Sequence, residues 1–212
     1  YTLSLHDALP IRVDQSGADA ADWQRYADLL LTTGNAAEAA TWYRRILDAD
    51  AKTGGSWGAW LQYGGALDQA GRWPEARDAL EKAVARGPAQ PLALNYLGFA
   101  QVEHGDDVPA SIKLLERATR LDPTNASITD SLGWAYHLSG NTARALPLLE
   151  TAAQAEPTNA EISDHLGDAY WSSGRNYEAR YAWRAALLTA EPADTARITA
   201  KIAHGLPANA RR

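Results

Sequence analysis

Asp130–Thr158, DSLGWAYHLSGNTARALPLLETAAQAEPT, and Asp164–Pro192, DHLGDAYWSSGRNYEARYAWRAALLTAEP, are two versions of one phrase displaced by 34 residues. Leu132-Gly133 becomes Leu166-Gly167, Tyr136 becomes Tyr170, Gly140 becomes Gly174 and Ala145 becomes Ala179. The frame extends backwards to Leu97-Gly98, Gly105 and Pro123, with one extra residue in the turn GDDVP (Gly105–Pro109). It then reaches Trp60, Gly64, Gly71, Ala76, Leu80, Ala83 and Pro88. The most degenerate copy holds Trp23, Ala27, Leu30, Gly34, Ala39 and Tyr43, followed by an insertion around KTGGS (Lys52–Ser56). Units therefore start near Ala20, Trp57, Pro91, Ala126 and Ala160.

Within each unit the apolar residues recur at three- and four-residue steps, as in Leu132 and Tyr136 or Leu146, Leu149 and Ala153. That spacing puts them on one side of a helix, and each unit holds two such runs. Gly133 with Ala145, and Gly167 with Ala179, are small residues at points where two helix backbones must approach closely. Gly140 and its counterparts end the first helix in a left-handed turn. Pro88, Pro123 and Pro157 stop the second helix from continuing, and Pro74 suits a first turn. Pro147 falls deeper in its helix and is expected to remove a backbone hydrogen bond or bend the helix start. A helix of about fourteen residues is marginal alone, and one 34-residue pair is too small to hold a core. The units must stack.

These features resemble the tetratricopeptide repeat (TPR), a 34-residue helix–turn–helix with the pattern W-x2-L-G-x2-Y, then A-x3-F, A and P. The resemblance covers Ala20 to Pro192 in five in-phase copies. Gln101 stands where the tyrosine is expected, Tyr63 replaces a leucine, and Ala51 takes the place of the first closing proline. The family implies an all-α fold: a right-handed superhelix of five helix–turn–helix repeats over 20–192, first helices inside and second helices outside. After Pro192, the stretch ADTARITAKIAHGLP places Ile198, Ile202 and Leu206 at four-residue steps, without the Leu-Gly pair. It reads as a capping helix over 193–206, ended by Gly205, ahead of a solvated tail at 207–212.

Residues Tyr1–Ile11, YTLSLHDALPI, read as one translated frame of a common short-read sequencing adapter. The other reading is a native amphipathic segment. On the adapter reading, 12–19 is a linker or remnant of an upstream repeat and the chain is the C-terminal part of a longer protein. The absence of Met is consistent with this.

Composition excludes several classes. With 46% hydrophobic and 22% charged residues the chain is an ordinary globular one. It lacks eighteen consecutive apolar residues and so any direct membrane span. Without Cys it has no disulfides, thiolate metal sites or cysteine nucleophiles. A net charge of −6 opposes general nucleic-acid binding, which needs clustered cations. Neither a nucleophile–base pair nor a phosphate loop is present, so no cofactor and no catalysis are expected.

The resemblance implies a scaffold or adaptor that binds a protein or peptide in its concave groove. The first-helix positions not used by the repeat's packing would line it: Asn95, Phe99 and Val102; Asp130, Trp134 and His137; Asp164, Asp168 and Trp171. Each triple steps by four then three residues and forms one stripe. Trp23, Trp60 and Trp183 fall in packing slots, whereas Trp134 and Trp171 do not: each either lines an open groove or packs against a neighbouring first helix. A fully covered Trp hides about 150–250 Å², far outweighing an exposed ion pair at under about 1 kcal/mol. The rings are therefore expected to set affinity, and the aspartates to select an apolar partner of basic or neutral character. One TPR subclass grips chaperone carboxylates with groove Lys and Asn residues; here only Asn95 resembles a clamp member. Asp130, His137, Asp164 and Asp168 hold metal-ligand chemistry, but polar groove residues are normal in this family and no metal is expected. The alternative is an interaction module of a larger enzyme, such as a glycosyltransferase or a protease-adaptor complex. A looser likeness to envelope TPR proteins of Gram-negative bacteria favours a periplasmic or outer-membrane-associated location, with a cytoplasmic one as the alternative.

Overall fold

A computed structural model describes residues 19–50 and 52–207. The sequence readings of residues 1–18 and of the tail beyond 207 lie outside the described residues. Among the described residues there are eleven helices and no strand. They are α1 (Ala20–Thr32), α2 (Ala36–Ala49), α3 (Trp57–Gln69), α4 (Trp73–Arg86), α5 (Pro91–Glu103), α6 (Val108–Leu121), α7 (Ala126–Leu138), α8 (Thr142–Ala155), α9 (Ala160–Ser172), α10 (Asn176–Thr189) and α11 (Pro192–His204). This is an all-α helical repeat fold. The described residues form two compact units, divided between Ala89 and Gln90, one with α1–α4 and one with α5–α11.

Short-range chemistry sets the helix ends. Asp19 caps α1 by accepting from the Ala21 and Asp22 amides, and Asp22 returns a bond to the Asp19 amide. Such reciprocal pairs satisfy donors that lack intrahelical acceptors. The repeated tripeptide Pro-Thr-Asn supplies Asn125 and Asn159, whose side chains accept from Ile128 N and Ile162 N at 3.1 and 3.3 Å. The inter-helix turns use Gly140 (φ 81°) and Gly174 (φ 84°). The amides just beyond them, of Asn141 and Arg175, reach back to Tyr136 O and Tyr170 O at 2.8 and 2.9 Å. The longer GDDVP turn is closed by Asp107, the one non-glycine residue with positive φ among those described; its side chain caps α6 at Ala110 N. Helix α8 runs on through Pro147, which has no amide to donate.

The repeat signature has one packing consequence in four hairpins. A Cβ placed on Gly64, Gly98, Gly133 or Gly167 would come within 2.4–2.8 Å of Leu80, Leu115, Leu149 or Trp183 respectively. Each glycine thus seats a large side chain from the second helix of its own pair. Leu132 and Leu166 occupy matching settings, 6% and 8% exposed. Neighbouring pairs are joined by a second repeated contact. Tyr136 donates to Glu116 while the Arg144 guanidinium lies 4.1 Å from the Tyr136 ring centre. Tyr170, Glu150 and Arg175 repeat the arrangement. Where Gln101 replaces the tyrosine, it accepts a buried bond from Ser111 of its own hairpin.

The core of the first unit gathers Tyr26, Leu30, Tyr43, Leu67 and several alanines. Trp23 and Trp60 pack against it but stay half-buried, covered by Arg45 and Lys82 respectively. In the second unit one cluster runs from Val102 through Leu132 and Leu149 to Leu166. Another joins Trp171, Trp183 and Ile198 across α9, α10 and α11.

Candidate functional site

The nine residues expected to line a binding groove all lie on α5, α7 and α9, the first helices of the second unit. These helices contact one another in sequence, α5 with α7 and α7 with α9. The structure separates the nine into three groups.

Val102 and Trp171 belong to the core. Val102 is buried with Leu115 and Leu132, so its position serves packing rather than an open lining. Trp171 is 8% exposed and lies against Trp183, with ring centres 5.6 Å apart. Its outer edge is covered by the backbone of Gly205, where a Cβ would come 1.9 Å from the indole. An open lining for Trp171 is therefore corrected: α11 closes over the ring because Gly205 has no side chain to hold them apart.

The aspartates are buried and already paired. Asp130 Oδ2 is 2.8 Å from His165 Nδ1, joining α7 to α9. Asp164 accepts from Arg197 at 2.5 Å and from Lys201 at 2.8 Å, and Asp168 accepts from Lys201 at 2.8 Å and from the Trp183 indole at 2.8 Å. The Lys201 ammonium thus stands between two carboxylates one helical turn apart. Burial, opposed by Lys201 and reinforced by Asp164, raises the Asp168 pKa. For His165, burial works against the charged ring, but Asp130, with Glu161 and Asp164 behind it, favours that form and the net shift is upward. Of the aspartates expected to select a basic partner directly, Asp164 and Asp168 are thus met by the chain's own cations and Asp130 by His165. Among the described residues no group of three or more His, Asp or Glu is arranged to hold a metal ion.

The third group is Asn95, Phe99, Trp134 and His137, all half-buried. Trp134 lies parallel to His165, with centres 4.1 Å apart and planes 10° apart, and 5.1 Å from His137 at 26°. Phe99 approaches His165 at 6.3 Å. The Trp134 indole donates to Glu103 at 2.5 Å, bridging α7 to the end of α5. Burial first, then the charges of His165 and Lys201, push His137 down to about 4, so it is neutral at pH 7. Asn95 Oδ1, Asp130 Oδ1 and His137 Nδ1 are buried without a hydrogen-bond partner, leaving polar capacity on this face.

Beside the stack opens a cavity of about 590 Å³, lined from α7 by Trp134, from α9 by His165 and from α11 by Arg197 and Ile198. Its carboxylates are Glu103, Glu161, Asp164, Asp168, Glu191 and Asp194. Asp164 and Asp168 are committed to Lys201 and Arg197, while Glu103, Glu161 and Glu191 stay exposed at the rim. The acidic character survives, but it resides in glutamates outside the stripe read from spacing. His165, Glu103, Arg197 and Lys201 went unread as site residues. The signal for the last two was present: Arg197 and Lys201 are four apart, as are Asp164 and Asp168.

Tetratricopeptide-repeat family models match residues 13–53 and 98–160, 57–102, and 136–202. The chain belongs to the tetratricopeptide repeat family. Solved TPR-like structures align with it over most of its length. A chain of the APC/C hetero-tetramer Cut9–Hcn1 superposes with a TM-score of 0.79 at 18% identity, over 90% of this chain and 37% of that one. This TPR chain therefore spans little more than a third of that relative. TTC0263, a thermophilic TPR protein of Thermus thermophilus, gives 0.74 at 22% identity, covering 88% and 98%. MamA from Desulfovibrio magneticus gives 0.64 at 17% identity, covering 82% and 97%. These likenesses establish the fold. No curated protein matches the chain in sequence. TPR chains are generally non-catalytic scaffolds for protein–protein interaction. No helix among the described residues is long and apolar enough to cross a membrane.

Proposed function

We propose that this TPR chain is a non-catalytic adaptor whose second unit binds a basic protein or peptide segment on the face formed by α5, α7 and α9. The observation that carries the reading is the Trp134–His165 stack standing half-open beside a cavity with an acidic rim. A flat aromatic surface offers apolar area and cation–π attraction. Carboxylates around it favour cations in a partner and repel acidic chains. Binding rests on Phe99, Trp134 and the glutamate rim, with Asp130, Asp164 and Asp168 holding the helices in register. His165 fixes the stack through Asp130.

Selection from a random peptide display library on the immobilised chain tests this. Enriched peptides should carry Lys or Arg beside an aromatic or aliphatic residue, and Trp134→Ala should weaken them at least tenfold while helicity is retained. Enrichment of acidic peptides, or equal binding by the Trp134→Ala chain, overturns the reading.

A further inference from the structure

Helix α11 is held differently from the ten helices before it. It follows α10 after only Ala190 and Glu191, and one of its residues, Ile198, is fully buried. Ile202 and Leu206 contribute partial cover to the Trp171–Trp183 cluster. Its polar attachment is a hydrogen bond from Arg180 Nε of α10 to Ile202 O at 3.0 Å together with ion pairs. Lys201, 12% exposed, contacts both Asp164 and Asp168, and Arg197 reaches Asp164 from a half-exposed position. At its far end, Gly205 rests on the Trp171 ring. Nor does α11 fill the space it enters: the 590 Å³ cavity remains along Asp194, Arg197, Ile198 and Lys201. The seat is thus a hydrophobic floor (Trp171 and Trp183) with two buried carboxylates, an open flank and further carboxylates around it.

We infer that this seat is a docking surface for basic amphipathic helices, that α11 is its resident intramolecular occupant, and that a partner helix enters by displacing α11. The inference rests on the proposed binding role of the second unit and names the kind of segment taken there. The matching pattern is written in α11 itself: a cation at i and i+4, with an isoleucine at i+1. A partner segment with additional Lys or Arg residues meets the rim glutamates that α11 leaves unused, and its side chains fill the open flank. The tether keeps α11 at high effective concentration, so an untethered helix of equal pattern competes poorly. Partners must exceed α11 in charge or size, and this sets the threshold for binding.

The test uses a fluorescein-labelled synthetic peptide of residues 192–207 and the full chain, with anisotropy as the readout. Two variants release α11 by independent means. Lys201→Ala removes the cation shared by the two aspartates, and Gly205→Ala forces a Cβ against Trp171. Hydrogen exchange across 192–204 reports the release, and circular dichroism reports the rest of the fold. Both variants should show faster exchange in α11 and bind the peptide at least tenfold more tightly than the parent chain. Asp164→Asn with Asp168→Asn, added to Gly205→Ala, should remove that gain. A released α11 with no gain in peptide affinity overturns the proposal, as does an α11 that stays protected in both variants. Neither result touches the peptide-display outcome at Trp134, so failure of the displacement idea is distinguishable from failure of the binding role.

Discussion

Trp134 and Trp171 stand one turn apart in the repeat frame, and their surroundings give them different work. Trp171 is enclosed by Trp183 and Gly205, so truncation leaves a cavity that the surrounding helices fill only in part. Trp171→Ala is expected to destabilise the second unit by about 3–5 kcal/mol, read from the urea midpoint. Trp134 is half-open, and its stacking on His165 is a contact of about 0.5–1.5 kcal/mol. Trp134→Ala should therefore cost under about 2 kcal/mol and act mainly on partner binding. The two histidines stacked on it have pKa values shifted in opposite directions. His137 is pushed down to about 4, chiefly by burial, so below its unfolded value near 6.5 the unfolded chain takes up a proton that the folded chain refuses. Stability must then fall between about pH 6.5 and 4, by about 2–3 kcal/mol from this group. His165 is raised by Asp130 against its burial. Its contribution is complete below the unfolded value and is lost as pH rises through the folded one. Melting temperatures from about pH 4 to 9 check both: His137→Gln should flatten the acid limb, and His165→Gln should remove the decline on the alkaline side.

At the scale of the helix pair, the glycine that seats a second-helix side chain gives a graded test. A methyl group on Gly167 would meet the rigid indole of Trp183 at 2.4 Å, whereas on Gly58 the nearest atom is Ser56 Oγ at 3.9 Å. Gly167→Ala should destabilise by about 1–3 kcal/mol through overpacking. Gly58→Ala, on an ordinary helical backbone, should stabilise by about 0.5–1 kcal/mol. Calorimetry of the two variants checks the sign of each. The same contacts explain what was legible in the sequence. The glycine of each Leu-Gly pair answers to a second-helix side chain of its own hairpin, and the sequence shows both sides of that contact within a single repeat. The candidate site answers to a different neighbour. Asp130 pairs with a residue 35 positions on, and Asp164 with residues 33 and 37 positions on. Spacing along one helix grouped these aspartates on one face but could not tell a groove from a seam between adjacent first helices. Trp171 was misread for the same reason: its cover comes from α11, whose place beside α9 is not implied by a repeat pattern that α11 lacks.

Across the whole molecule, a net charge of −6 sets a background favourable to cationic partners, but the charges divide by their access to water. Asp164 and Asp168 are buried with Lys201, which is itself only 12% exposed, so salt reaches this contact poorly. Glu103, Glu161 and Glu191 are exposed and are screened over about 10 Å at 0.1 M salt and about 3 Å at 1 M. The two sets should therefore separate in a salt titration. Between about 0.05 and 0.5 M NaCl, the affinity of the chain for a basic display-selected peptide should fall more than tenfold. Protection of α11 amides in hydrogen exchange should change less than twofold over the same range. Replacing Glu103, Glu161 and Glu191 with Gln should lower the affinity at about 0.05 M and flatten its salt dependence, with protection of α11 unchanged. If α11 protection instead falls in step with peptide affinity, the Lys201 contact is screened like a surface pair, and the division between a buried clamp and an open acidic rim fails.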